Sequence, residues 1–168
     1  MARPPQAHTA TCILVIRRST MASKITTVFD VKSPADKLWA ALRNSTELFP
    51  KILPELYKSI ETVEGDGKSV GSVRLLKYAD GVPMTTFAKE KVELADEENK
   101  VLSYSMVDGE ILDFYKNLKV TMHVTPGAVE WALEFDKAGE EVPAPDFIKD
   151  TAAKAFRDLD EYLLKNKN

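Results

Sequence analysis

The longest uninterrupted helical pattern in the chain is its last one, over residues 145–165, and it constrains what the rest can be. Ile148, Ala152, Ala155, Leu159, Tyr162 and Leu163 recur at steps of three and four, which gives a helix one apolar stripe, with Lys149, Lys154, Arg157, Asp158, Glu161 and Lys165 on its solvated side. A helix of this kind must bury its stripe against another element. The stripe is uneven: Thr151, Ala152 and Ala155 are small, whereas Leu159, Tyr162 and Leu163 are bulky. The two halves cannot fill the same volume against one partner. Either bulky residues of that partner fill the room beside the small half, or a cavity lies there.

The partner is legible upstream as a sheet. Ile25, Val28, Phe29 and Val31 among threonines predict a first strand. Ser33-Pro34-Ala35-Asp36 then predicts a helix over 34–43, with Ser33 as N-cap, Pro34 in the first turn and Asp36 as the acid at its third position. Thr46-Glu47 starts a second short helix, which Pro50 and Pro54 limit to about two turns; Asn44-Ser45 joins the two as a bent pair. Six more strands are predicted over 56–64, 70–78, 85–95, 101–107, 114–124 and 128–137, separated by turn clusters such as Gly65-Asp66-Gly67, Asp80-Gly81, Asp108-Gly109 and Pro126-Gly127. These spacings describe an antiparallel meander. Alternation gives it one apolar face, carrying Leu102, Tyr104 and Met106, then Leu118, Val120 and Met122, then Val129, Trp131, Leu133 and Phe135.

Composition narrows the class. With 168 residues, 44% hydrophobic and 29% charged, the chain suits one soluble domain with a sizeable core, and a net charge of -3 offers no electrostatic case for nucleic acid or an anionic membrane. No stretch reaches the ~20 apolar residues of a membrane span. The single cysteine, Cys12, cannot form an intramolecular disulfide, which suits a reducing, cytoplasmic setting. Residues 1–20 differ from the remainder: Arg3, Arg17 and Arg18 flank a short apolar run over 9–16, and no acid precedes Asp30. Arg17-Arg18 directly after that run argues against a secretory signal, and no clear amphipathic stripe supports a transit peptide. The expectation is a disordered N-terminal extension over 1–20, before a second possible start at Met21, and a single domain over 21–168.

The order of strand, two short helices, six strands and long helix coincides with particular residues. Glu64-Gly65-Asp66-Gly67-Lys68-Ser69-Val70-Gly71, the segment Ser103-Tyr104-Ser105-Met106-Val107-Asp108-Gly109 and the ending Glu161-Tyr162-Leu163-Leu164 resemble the plant pathogenesis-related class 10 family of the birch-pollen-allergen type, in its major latex protein branch. The resemblance covers about residues 22–166. It implies an α+β helix-grip fold, in which a curved seven-stranded antiparallel sheet wraps a long C-terminal helix and a large internal cavity binds small hydrophobic ligands. Ligands of plant hormone-, steroid-, flavonoid- or fatty-acid-like type are implied, in defence or stress response, with the protein a monomer or weak dimer and no cofactor.

By the same resemblance the inward positions fall on Phe49 and Tyr57, on Arg74, Leu76 and Tyr78, on Glu90, on Leu102, Tyr104 and Met106, on Leu118 and Val120, on Trp131 and Leu133, and on Ile148, Thr151, Ala152 and Ala155. Most are apolar, as a hydrophobic ligand requires. Tyr57, Tyr78, Tyr104, Thr151, Arg74 and Glu90 could orient a ligand's hydroxyl or carboxylate; alternatively Arg74 and Glu90 reach the rim or pair with each other. Bulky Trp131 and Leu133 point to a cavity smaller or differently shaped than the birch type. Gly65, Gly67 and Gly71 could form an anion nest or a tight φ-positive strand connection; that Gly67-Lys68-Ser69 leads into a strand argues against a nucleotide triphosphatase.

Catalytic constellations are thin. His8 lies in the leader, His123 alternates with inward Met122 and Val124 and so faces solvent, and no histidine pair or Cys/His cluster exists for a metal. Relatives in the wider family act as synthases in alkaloid pathways, and Tyr104, Glu90, Lys116 and Lys149 are the groups that acid/base work of that sort would draft. They match no synthase motif residue by residue, so no catalytic residue is assigned. Neither a histidine dyad nor a basic groove supports ribonuclease activity.

Overall fold

The computed structural model describes residues 23–166; the leader over 1–20 lies outside them. The chain runs β1 (Ser23–Asp30), α1 (Ala35–Arg43), α2 (Ser45–Ile52), β2 (Tyr57–Glu64), β3 (Val73–Tyr78), β4 (Phe87–Asp96), β5 (Val101–Gly109), a 3-10 turn (Glu110–Asp113), β6 (Tyr115–Thr125), β7 (Ala128–Lys137) and α3 (Asp146–Lys165). The strands form one seven-stranded sheet in the order β1-β7-β6-β5-β4-β3-β2, antiparallel throughout. It is the helix-grip architecture: the curled sheet grips α3, and α1 and α2 both touch that helix.

Several local expectations change. Ser33 does not cap α1: the N-cap position is Pro34, without a side-chain hydrogen bond to the helix, and Ser33 is buried with its hydroxyl donating to Asp160 Oδ1 at 2.5 Å. The hydroxyl donates to that long-range carboxylate and accepts from no helix amide. β3 starts at Val73 rather than at residue 70, because Val70 sits exposed in the glycine loop. β4 starts at Phe87 rather than 85, since Thr85 and Thr86 are held by Glu110 in the β3–β4 connection. Asn44 works as the joint of the helix pair, its N–H shared between the carbonyls of Ala40 (3.0 Å) and Ala41 (3.1 Å), and α2 ends within eight residues around Pro50.

The helix that grips the sheet is pinned at both ends. Near its start, fully buried Tyr115 of β6 stacks edge-on to Phe135 at 5.9 Å and donates its hydroxyl to the Pro143 carbonyl at 2.8 Å, fixing the β7–α3 connection. Towards its end, Phe156 stacks on Phe29 of β1 at 5.2 Å and Leu159 is 1% exposed. There the Asp160 carboxylate also accepts the backbone N–H groups of Lys32 (3.0 Å) and Ser33 (2.8 Å), tying α3 to the β1–α1 connection. Both anchors are bulky or charged. Between them lie Thr151, Ala152 and Ala155, too short to reach the sheet that the anchors hold at a distance.

Candidate functional site

That unfilled stretch is a cavity of about 150 Å³ between α3 and the concave face of the sheet. α2 contributes Phe49 and β2 contributes Tyr57; β3 supplies Arg74, Leu76 and Tyr78, and β4 supplies Glu90. Leu102, Tyr104 and Met106 come from β5, Leu118 and Val120 from β6, Trp131 and Leu133 from β7, and Ile148, Thr151, Ala152 and Ala155 from α3. The structure thus brings together every inward position named from the sequence. It adds Leu42, Ser45, Ile60, Val82, Thr85, Ile111, Met122, Phe147, Phe156 and Leu159. Phe147, Phe156 and Leu159 lie on the helix stripe, and Met122 continues the alternation of β6. Val82, Thr85 and Ile111 sit in connections, where no periodicity points inward.

The size is below the large cavity that the resemblance implies and in line with the smaller one that Trp131 and Leu133 point to. Pockets that hold drug-sized ligands run to roughly 300–1,000 Å³, whereas a dry cavity of about 150 Å³ suits a single aromatic ring. Trp131 and Leu133, 3% and 0% exposed, are packed into the core and occupy volume that a large cavity would need.

The polar end is organised around Arg74 and Glu90. They are directly opposite each other on β3 and β4, 6% and 2% exposed, and Arg74 Nη2 donates to Glu90 Oε1. Of the alternatives, the mutual pair is therefore realised and the rim position is not. Arg74 Nη1 donates to Ser45 Oγ at 2.8 Å, its guanidinium lies 5.7 Å from the centre of the Tyr104 ring, and its Nε is buried without a partner. Burial pushes the Glu90 carboxyl up, and Arg74 opposes that rise without cancelling it. For Arg74, burial disfavours the charge, but the surrounding groups, Glu90 foremost, together more than offset it and hold the guanidinium protonated.

Three phenols complete this end. Phe49, Tyr57 and Tyr78 form a row with ring centres 6.0 and 5.7 Å apart. Burial is the main reason that the hydroxyls of Tyr57, Tyr78 and Tyr104 titrate above the ordinary tyrosine value, and the charge of Glu90 adds to it. All three remain protonated hydrogen-bonding groups at neutral pH.

Other candidates fall away from the cavity. Lys116 is exposed and donates to the Leu112 carbonyl, and Lys149 pairs with Asp146 at 3.8 Å, so only Tyr104 and Glu90 of the acid/base quartet face the interior. His123 is partly exposed beside Glu130 at 2.8 Å, on the outer face as alternation predicts. The glycine loop is closed by its own acid. Asp66 Oδ1 accepts the N–H groups of Lys68 (2.8 Å) and Ser69 (2.7 Å) and Oδ2 accepts the Ser69 hydroxyl (2.6 Å), so the amides that would face an anion already face a carboxylate. Gly65 and Gly67 hold φ of 75° and 80°, and an added Cβ would meet Ser72 Oγ at 2.6 Å or Thr62 Oγ1 at 2.5 Å, which makes both structural. Among the described residues, no group of His, Cys, Asp and Glu could hold a metal ion and no helix is long and apolar enough to cross a membrane.

Known proteins share this fold. The model of the Pathogenesis-related protein Bet v 1 family matches residues 20–166. MLP-like protein 423 of Arabidopsis thaliana is 45% identical over 140 residues, covering 81% of this chain and 90% of its own length. Major latex protein 22 of Papaver somniferum is 31% identical, covering 86% and 92%. Among solved structures, major latex-like protein 151 of Panax ginseng aligns with a TM-score of 0.78 at 25% identity, over 84% of this chain and 97% of its own. Norcoclaurine synthase of Thalictrum flavum, at 24% identity and a TM-score of 0.69 over 89% and 99%, shares the fold.

Proposed function

Because this chain belongs to the pathogenesis-related Bet v 1 family, in its major latex protein branch, we propose that it binds small hydrophobic molecules in the cavity between its sheet and α3 and releases them unchanged. The observation that carries this reading is the volume left beside Thr151, Ala152 and Ala155, walled mainly by apolar side chains. An apolar ligand there leaves water at roughly 25 cal/mol per Å² of its surface, and after association costs an affinity of about micromolar order is expected. Ring-sized plant hormone-like molecules fit the cavity as it stands; steroid-, flavonoid- or fatty-acid-like ones need α3 or the β3–β4 connection to shift outward. The family's description as pathogenesis-related supports a role in defence or stress response, and we assign the protein to the cytoplasm on the same resemblance.

A second reading, a cavity-based synthase of plant secondary metabolism, is favoured by one observation: Glu90 is a buried acid of raised pKa beside phenols. Native mass spectrometry of the purified protein with plant extract separates the two. A ligand mass that stays constant for hours supports binding, a mass that converts to another supports catalysis, and no adduct at all defeats both.

A further inference from the structure

The chain holds three Asp-Gly pairs, Asp66-Gly67, Asp80-Gly81 and Asp108-Gly109, and the ligand-binding reading uses none of them. Such a pair has a chemistry of its own. Glycine leaves its backbone nitrogen unshielded and its dihedral angles free, so that nitrogen can attack the side-chain carbonyl carbon of the preceding aspartate and close a succinimide ring. By sequence the three pairs are equivalent. The fold makes them different.

Asp66-Gly67 is locked. Asp66 Oδ1 accepts from the Lys68 and Ser69 N–H groups and the Ser72 hydroxyl, Oδ2 accepts from the Ser69 hydroxyl, and Gly67 is buried against Thr62. Asp108-Gly109 belongs to the sheet, with Asp108 opposite Lys89 and Gly109 opposite Ala88 in the β4–β5 register. The Gly109 N–H already donates to Asp108 Oδ1 at 2.9 Å, and an added Cβ would stand 2.7 Å from the Phe87 carbonyl oxygen, so the backbone has no room to swing into a ring. Asp80-Gly81 meets none of these restraints. It is the middle of a turn that the Val82 N–H closes on the Ala79 carbonyl at 3.1 Å, its aspartate side chain is 92% exposed, and beyond its chain neighbours no atom lies within 4 Å of where a Gly81 Cβ would stand. Among the described residues the Gly81 N–H donates to nothing, and the Asp80 carboxylate has one partner, the exposed Lys58 ammonium at 2.6 Å. An exposed pair of that kind is a weak restraint.

We propose that Asp80-Gly81 is a site of spontaneous covalent modification in the folded protein, cyclising to a succinimide that reopens largely as isoaspartate, while Asp66-Gly67 and Asp108-Gly109 stay intact. Ring closure joins Gly81 N to Asp80 Cγ. One carboxyl oxygen leaves as water, taking the amide proton and the proton of the acid. Water then adds to either ring carbonyl. Cleavage of the bond from nitrogen to Cγ restores aspartate, whereas cleavage of the bond from nitrogen to the α-carbonyl carbon leaves the chain running through Cγ with a free α-carboxylate. Water is the only reagent, and no oxidation state changes. The product adds a methylene to the main chain of the β3–β4 connection, whose Val82 and Thr85 line the cavity. It also creates the carboxyl group on which an isoaspartyl methyltransferase using S-adenosylmethionine acts.

The test ages the intact protein for days at neutral pH, below its melting transition, in water enriched in heavy oxygen, beside a portion unfolded in guanidinium. Each passage through the ring fixes a solvent oxygen in the aspartate. Trypsin, used afterwards in ordinary water, places the pairs in separate peptides over 59–68, 78–89 and 101–116, so mass and fragmentation read each one apart. In the folded protein heavy oxygen and isoaspartate are expected in 78–89 alone, and in the unfolded portion in all three peptides. Asp80→Glu, whose longer side chain closes such a ring far less readily, should abolish the signal. Gly81→Val, which the open space around Gly81 accommodates, should suppress it by shielding the nitrogen. The two variants are independent, so either one decides where the other does not fold. Absence of label from 78–89 in the folded protein overturns the site, and so does label there that survives Asp80→Glu. Equal labelling of the three peptides in the folded protein overturns the selection by the fold.

Discussion

Arg74 of β3 and Glu90 of β4 are directly opposed in the sheet register, and their charged ends meet inside the protein at the polar end of the cavity. Removing two charges from water costs several kcal/mol per ion, which contact and supporting hydrogen bonds only partly return. The pair therefore matters less as a source of stability than as a unit that neither member can leave alone.

Arg74→Met should strand the Glu90 carboxylate and cost about 3–5 kcal/mol in denaturant unfolding, whereas Arg74→Met combined with Glu90→Leu should recover most of that loss. The double-mutant cycle checks it directly. A double variant as unstable as the sum of the singles would mean that the side chains act independently, against the geometry.

Glu110 fastens the β3–β4 connection, whose Val82 and Thr85 line the cavity, by accepting from the Thr86 hydroxyl (2.5 Å) and the N–H groups of Thr86 (2.8 Å) and Phe87 (3.2 Å). The Thr86 hydroxyl above all brings its carboxyl from 4.5 down to about 2. Being depressed in the folded state, this group contributes stability that is present above its unfolded value near 4.5 and lost as pH falls through about 2. Glu110→Gln should flatten that acid limb and lower hydrogen-exchange protection at the Thr86 and Phe87 amides at neutral pH. Unchanged protection would show that the connection is held without Glu110.

Asp160 closes the other end of the grip. Burial alone would raise its carboxyl, but the Ser33 hydroxyl and the N–H groups of Lys32 and Ser33 hold it below the ordinary range. Its stabilisation is therefore present above the ordinary aspartate value of 3.8 and lost as acid protonates the folded group. Asp160→Ala should cost roughly 1.5–3 kcal/mol, the range for hydrogen bonds to a charged group, and Ser33→Ala should cost less, because the two backbone donors remain. If Ser33→Ala is the more damaging, its hydroxyl rather than the backbone anchors the clasp.

How much of this was legible depends on whether the cause was local. The antiparallel meander followed from turn spacing and the inward faces of β5, β6 and β7 from period-two alternation, whereas Glu90, which lies between Ala88 and Val92, both 1% exposed on the same face of β4, was placed inward by the family resemblance. The bulge in β6 was passed over by that reading: buried Tyr115 and Leu118 are three apart, which breaks the alternation where the register slips and Asn117 takes a φ of 52°. What escaped was set by distant partners. Ser33 reads as a cap until Asp160, far along the chain, claims its hydroxyl. Asp66 reads as a turn residue until its carboxylate occupies the amides of the loop it sits in. The cavity volume is the difference between where two anchors hold α3 and how far its short side chains reach, and no window of sequence contains that distance.

Ala155 and Leu159 test the cavity where it was first inferred, on the stripe of α3. Both line it, but Leu159 is 1% exposed and packed in the core cluster, while Ala155 faces the unfilled stretch. Ala155→Phe places a ring of about the cavity's own capacity into about 150 Å³ of open volume, so it should abolish binding of a displaceable apolar dye with little loss of stability. In a filled interior the same substitution would overpack at about 1–3 kcal/mol. Leu159→Ala should behave as a core truncation costing about 2–5 kcal/mol, and the space it opens should admit larger ligands than the parent accepts. Dye titrations and denaturant melts on the two variants read both effects. An Ala155→Phe protein that is strongly destabilised yet binds dye as before would put the ligand elsewhere than beside α3, and the binding function would lose the volume on which it rests.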